Sequence, residues 1–214
     1  MYAEQFESDW WRDTEKTLSY NRKLLSVILY SDATTCDRLS KTKMHPIYMS
    51  LGNIPHMRRQ KKDAKCLVGY IPIVEDLPSN DVDLSHNATT ARLRAAAIEC
   101  FHSCMTIILE EFEDNYRNGV SLRQTPISGE YEMRLSAIIS DWPEAASYML
   151  AYKSANSHHP CHTCLVTRDK LNAIGLHPDE CRLRTPAEMK MAYEMSQCHN
   201  FSLVQKYNIF WEHQ

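Results

Sequence analysis

Val27-Ile28-Leu29-Tyr30-Ser31-Asp32 is a short apolar run, rich in β-branched residues, that ends on a carboxylate. Such a run predicts a buried strand, and the strand delivers Asp32 to its C-terminal edge. A second run, Leu135-Ser136-Ala137-Ile138-Ile139-Ser140-Asp141, has the same character and the same ending. Two buried strands that each close on Ser-Asp point to one site. Side by side, they would bring both carboxylates to one rim, where Asp32 and Asp141 could share a divalent cation. Mg²⁺ or Mn²⁺ fits such a pair, because hard cations take oxygen ligands, usually one or two carboxylates with waters and substrate phosphates.

Outward from the first run the chain alternates strand and turn signals. Asp9-Trp10-Trp11-Arg12-Asp13 belongs to an aromatic, acidic lead-in (1–24) expected as a short helix or packed arm. After Asp32 come a polar turn and the basic stretch Arg38 to Lys43. Pro46-Ile47-Tyr48-Met49-Ser50-Leu51 alternates and closes on Gly52-Asn53, a strand followed by a turn. Cys66 to Val74 reads as a third strand, which Pro72 confines to an edge or a strand end. Short connections make these three an antiparallel meander. Between the second and third lie Arg58, Arg59, Lys61, Lys62 and Lys65, five basic residues in eight positions. They are candidates for phosphate contacts, beside the plainer reading of a solvated hairpin loop.

Residues 75–87 read as a polar loop. From Thr89 to about Arg117, Leu93, Ala97, Cys100, Phe101, Cys104, Ile107, Ile108 and Phe112 recur at three- and four-residue steps, the mark of an amphipathic helix. Asn118-Gly119 stops it. The fourth strand then runs to Asp141, and Trp142-Pro143-Glu144 opens a helix to about Tyr152. Thr185-Pro186-Ala187-Glu188 is a capping box that starts a last helix to about Gln197. Strand, strand, strand, helix, strand, helix is the order of a ribonuclease-H-like core. The expected fold is therefore α/β: a mixed sheet, made of a three-strand antiparallel meander plus a parallel fourth strand, flanked by helices. The core would span 25–152, with a helical, Cys/His-bearing extension over 153–214.

The sequence has 214 residues, enough for one full core. It is 43% hydrophobic and 24% charged, the balance of a globular rather than a disordered chain. A net charge of -3 gives no global field for nucleic acid, so any such contact needs a local patch or metal ions. No apolar run approaches the ~20 residues of a membrane helix, and the acidic first residues do not resemble a leader. No membrane partner is expected. Eight cysteines without a secretion signal imply a reducing, intracellular setting. Cys66, Cys100 and Cys104 fall in apolar patterns and read as small core residues.

Trp10-Trp11-Arg12-Asp13-Thr14, Ile28-Leu29-Tyr30-Ser31-Asp32, Leu51-Gly52-Asn53-Ile54-Pro55 and Leu67-Val68-Gly69-Tyr70-Ile71-Pro72 occur in that order. Ser140-Asp141-Trp142-Pro143-Glu144, His159-Pro160-Cys161-His162-Thr163-Cys164 and Asn208-Ile209-Phe210-Trp211 continue it. Together they resemble the Plavaka-type transposases of fungal genomes, relatives of the CACTA cut-and-paste elements, over nearly the whole chain. The resemblance implies a ribonuclease-H-like nuclease that cleaves transposon-end DNA and transfers strands, with an acidic metal-binding triad, acting in a nucleus. Asp32 would be the first acid and Asp141 the second. The third lies on a later helix in such enzymes, in a region expected only to begin near Phe210-Trp211. That makes this sequence the N-terminal part of a catalytic domain, and leaves its enzymatic status and any homo-oligomer open. The alternative is an inactive, truncated or domesticated remnant that serves binding or structure.

Each candidate also has a plain reading. Asp32 can be a turn former and Asp141 a helix cap. Glu188 has a capping task and Glu194 is expected to face solvent, so neither is offered as the third acid. Cys161-His162-Thr163-Cys164 is half of a tetrahedral Zn²⁺ site, for which His158, His159, Cys181, Cys198 and His199 could complete the set. A reduced thiol pair or a redox motif is the other reading. No glycine-rich phosphate loop, nucleophile elbow or dinucleotide fingerprint is present.

Overall fold

Strand β1 (Lys23–Ser31) is buried at every position from Leu24 to Leu29 and again at Ser31, as a strand covered on both faces must be. It sits at the centre of the sheet in the computed structural model, which describes residues 4–35, 43–75, 86–123, 127–152 and 156–211. Its antiparallel neighbour is β4 (Pro46–Leu51), and β5 (Cys66–Tyr70) continues the meander antiparallel to β4. On the other side β7 (Gly129–Ile139) runs parallel to β1, with β6 (Val120–Leu122) antiparallel beyond it. The five-strand order is β5-β4-β1-β7-β6. The mixed α/β class, the meander, the edge position of β5 and the parallel neighbour of β1 all agree with expectation. Tyr70 is the last residue of β5, just ahead of Ile71-Pro72.

Other features differ from expectation. The fourth strand begins at Gly129 rather than Leu135, and the short β6 precedes it as the first arm of a hairpin. A second, two-stranded pairing joins β2 (Thr34–Thr35) to β3 (Lys43–Met44). The polar turn with Arg38 between them, and most of the loop expected at 75–87, lie outside the described residues. The β1–β7 register shifts by one residue after Val27, leaving Ser136 without a partner in the ladder. Its hydroxyl donates to the Val27 carbonyl at 2.8 Å, so the bulge keeps its backbone bonded.

Helix α3 (His86–Asn118) packs on β7. Its buried stripe is Phe101, Met105 and Leu109, one residue per turn, whereas Ile107 faces solvent and Cys100 and Cys104 are half-buried. Cys66 is exposed on the edge strand, so it is not a core residue. Gly119 ends the helix with φ +76, a left-handed conformation that glycine takes without a Cβ penalty. At Gly52 the need is space: a Cβ there would lie 1.6 Å from Gln5 Oε1. Before β1, α1 (Asp9–Glu15) is capped by the Ser8 hydroxyl, and it buries Trp11.

The chain divides into two compact units, Met1–Ile139 and Ser140–Gln214. The second contains α4 (Trp142–Tyr148) and α5 (Pro186–Glu194) around a small core of Ala146, Ala151, Met189, Cys198 and Leu203. Helix α4 is shorter than expected because Leu150 turns left-handed at φ +54 and Ala151 pairs with Leu203. Helix α5 closes three residues early through Ser196 at φ +56, with the Gln197 amide returning to the Ala192 carbonyl at 2.7 Å. The stretch expected as helical from 153 is mostly irregular, with short 3₁₀ turns at Arg168–Lys170 and Pro178–Cys181. No helix among the described residues is long and apolar enough to cross a membrane.

Candidate functional site

The parallel pairing of β1 with β7 ends at Tyr30 opposite Ile139. Asp32 follows Tyr30 by two residues, and Asp141 follows Ile139 by two. Neighbouring strands lie about 4.8 Å apart, so the strand ends that lead to the two acids are adjacent. Within the first unit, the Tyr30 hydroxyl donates to Asp32 Oδ2 at 3.1 Å. Within the second, Asp141 is the N-cap of α4, its Oδ1 accepting from the Glu144 amide at 2.8 Å. That is the capping role anticipated for it, and it occupies one oxygen. Glu188 forms an ion pair with Arg182 at 2.7 Å, and Glu194 is exposed.

The basic residues between β4 and β5 do not form a plain hairpin loop. They fold into α2 (His56–Arg59) and a 3₁₀ turn at Lys62–Ala64, which gives each cation a different setting. Arg58 grips Asp63 through two bonds of 2.8 and 2.6 Å, and that hydrogen bonding holds the Asp63 carboxyl below its ordinary pKa. Lys61 and Lys62 are exposed. Arg59 and Lys65 line a cavity of about 260 Å³ on the sheet surface, together with Tyr30, Tyr48, His56 and Ile139. Arg59 Nη1 is buried with no hydrogen-bond partner among the described residues.

In the second unit Cys161 and Cys164 are half-buried and reduced. Burial works against a Cys161 thiolate, but hydrogen bonds from the Cys164 and Thr163 amides outweigh it, and its pKa is lowered. Thr163 N donates to Cys161 Sγ at 3.3 Å. Burial raises the Cys164 thiol, and its neighbours Cys161 and Cys181 raise it further. Cys181 is brought near because Cys164 bridges to Leu183, with Leu165 N on the Arg182 carbonyl at 2.8 Å. Burial likewise pushes the His159 and His162 pKa values down, so both rings are held toward the neutral form.

One signal in this region was missed from the sequence. Cys161, Cys164, His177 and Cys181 stand at Cys-x2-Cys-x12-His-x3-Cys, a zinc-finger spacing. His177 does not face the thiols. Its Nδ1 lies 3.1 Å from Asp179 Oδ2 and accepts from the Asp179 amide at 3.4 Å. Among the described residues no three His, Cys, Asp or Glu side chains are gathered as a metal site.

Fold and strand ends together define a mixed α/β protein on a five-stranded mixed sheet, with an aspartate just past each of two adjacent parallel strands. The family model of the Plavaka transposase matches residues 1–214, the whole sequence, and the chain belongs to that family. No curated protein and no solved structure matches the chain.

Proposed function

We propose that this chain belongs to the DNA-cleaving and strand-transfer domain of a Plavaka transposase, with a ribonuclease-H-like core, acting on transposon-end DNA in the nucleus. One observation carries the reading: β1 and β7 are parallel neighbours, and each leads within two residues to an aspartate. Asp32 and Asp141 would hold Mg²⁺ or Mn²⁺. The metal would activate the attacking oxygen and stabilise the leaving one. Asp32 orients an oxygen through Tyr30, and Asp141 keeps Oδ2 for a ligand while Oδ1 caps α4. Arg59, Lys61, Lys62 and Lys65 contribute positive charge to the DNA backbone, whereas Arg58 is spent on Asp63. In the second unit Cys161 and Cys164, joined by Cys181 and a rotated His177, would hold Zn²⁺ as a structural ion.

The test is a metal titration by calorimetry on this chain, paired with cleavage of element-end DNA by a full-length copy. Asp32→Asn and Asp141→Asn are each expected to weaken Mn²⁺ binding by more than about 100-fold, beyond the effect of losing an outer-shell partner, and to abolish cleavage. Cleavage that survives in both variants overturns the assignment. In the same titration Zn²⁺ is expected to bind one per chain and to be lost in Cys161→Ser; no zinc heat removes the zinc reading and leaves the nuclease reading standing.

A further inference from the structure

The cavity between α2 and the sheet is built from two chemistries. Its floor is one row of side chains on a single sheet face: Tyr30 lies opposite Tyr48 across the antiparallel ladder and opposite Ile139 across the parallel one. The Tyr30 and Tyr48 rings are 6.5 Å apart between centroids, with planes 32° from parallel. Its wall is α2, which presents Arg59 and His56, with Lys65 following from the next turn. Helical spacing explains the division of labour: Arg58 is turned outward to Asp63, while the next residue is turned in. Arg59 thus lines the cavity, and its Nη1 is buried without a hydrogen-bond partner among the described residues, a donor that calls for an explanation.

A lone phosphate would satisfy Arg59 and leave the two rings and Ile139 bare. A purely apolar ligand would cover the floor and leave the guanidinium unpaired. A nucleotide offers both a flat π-face and an anion, and at about 260 Å³ the space falls below the ~300–1,000 Å³ of ordinary ligand pockets. A single base stacked flat on the two rings matches this extent.

We propose that this cavity receives a single unpaired nucleotide of DNA, its base stacked on Tyr30 and Tyr48 and its phosphate on Arg59 and Lys65. The inference rests on the reading that the chain handles DNA, and it adds that the strand is opened at this point. Base-aromatic contacts are sequence-tolerant, and a base leaves the duplex only where it is extruded or already single-stranded. The Tyr30 hydroxyl bonded to Asp32 ties the stacking platform directly to the first acid.

The experiment measures fluorescence anisotropy of a labelled ten-nucleotide thymidine strand, and of a duplex of equal length, with the whole chain in EDTA. Chelation makes the result independent of the metal reading. The single strand is expected to bind more tightly than the duplex. Tyr48→Leu and Arg59→Gln should each weaken the single strand by about tenfold or more. Tyr48→Phe, which keeps the ring, should restore binding and so exclude misfolding as the cause. Thymidine monophosphate should compete, and inorganic phosphate should not. With 5-iodouracil in the strand, photocrosslinks should map to Tyr30 or Tyr48. Equal binding of strand and duplex, unchanged by Tyr48→Leu, overturns the pocket while leaving DNA binding intact. Competition by phosphate alone reduces it to an anion site and also overturns it. Absence of binding to either DNA overturns this inference, and cleavage of element-end DNA by the full-length copy then decides the function on which it rests.

Discussion

The two units of the chain are held by different means. In Met1–Ile139 the bonding is repetitive: β1 is laddered to β4 and to β7, and the strands bury Val27, Leu29 and Ile47 in the core. In Ser140–Gln214 the described strand pairing is reduced to isolated bridges at Ala151–Leu203 and Cys164–Leu183. Single side chains take over the carbonyls. Arg184 donates to the His159, Cys161 and Phe201 carbonyls at 3.0, 3.0 and 2.7 Å, Asn208 to Tyr148 at 2.8 Å, and Gln205 to Tyr193 at 2.8 Å. A ladder loses one bond of many when one residue changes. The second unit loses several at once, so its stability is concentrated in few positions.

Arg184 tests this most severely. Its buried side chain is cationic, and burial presses its pKa down while the Cys161 thiolate pushes it up. Arg184→Met keeps volume but leaves three carbonyl oxygens without their donor, at about 1–3 kcal/mol for each buried unsatisfied group. Relief of the buried charge offsets part of that. A net loss of about 3–5 kcal/mol is expected in urea unfolding. Arg184→Lys should recover little, because one ammonium cannot reproduce a fork that reaches three acceptors. A loss below about 1 kcal/mol would erase the contrast between the units.

In the first unit a comparable point is Glu132, and it titrates. Glu132 on β7 is buried against Arg134 and Arg22, and it accepts from the Ser19 amide at 3.1 Å. Burial alone would raise its pKa, but the Ser19 bonds and the Arg134 charge outweigh it, so the folded pKa is lowered. A depressed carboxylate contributes stability above its unfolded pKa and loses it as pH falls through the folded value. Glu132→Gln is therefore expected to cost about 1.5–3 kcal/mol near pH 7, and the cost should shrink as pH falls from the unfolded value of ~4.3 through the lowered folded one, where the wild type loses the same contribution. The guanidinium of Arg184 does not titrate in that range. Hydrogen exchange on acidification should accordingly loosen the β7 edge around Glu132 before the Arg184 carbonyls; the reverse order would break the comparison.

The same contrast explains what could be read in advance. The apolar runs ending at Asp32 and Asp141 disclosed β1 and β7 and their neighbourhood, because a strand buried on both faces writes a short continuous apolar run into the sequence. The N-cap at Thr185 was legible for a similar reason: Thr-Pro-Ala-Glu states its local chemistry outright, and the Thr185 hydroxyl does accept from Glu188 N at 3.3 Å. Arg184, one residue earlier, gave no sign, since its acceptors lie 17 to 25 residues away and are backbone atoms of any residue type. The cavity was half legible. The basic residues stood out, but which of them turn inward depended on α2, which replaced the expected loop. Cys161 and Cys164 were visible as a pair and Cys181 as a possible partner, whereas His177 is legible only through its three-residue spacing from Cys181.

The smallest effects are expected at the helix caps of the second unit, and Asp141 allows two roles to be separated. As N-cap of α4 it makes one bond to Glu144 N. Asn caps a helix about as well as Asp, whereas Ala forfeits about 1 kcal/mol. Asp141→Asn should thus leave urea stability within about 0.5 kcal/mol of wild type while removing the charge a divalent cation needs. Asp141→Ala should lose both. Thr185→Ala on α5 supplies the control, with a similar ~1 kcal/mol cost and unaltered Mn²⁺ affinity. If Asp141→Asn is instead as unstable as Asp141→Ala, the carboxylate's charge sustains the fold itself, and the concentration of stability in single side chains extends to the residue assigned to the metal.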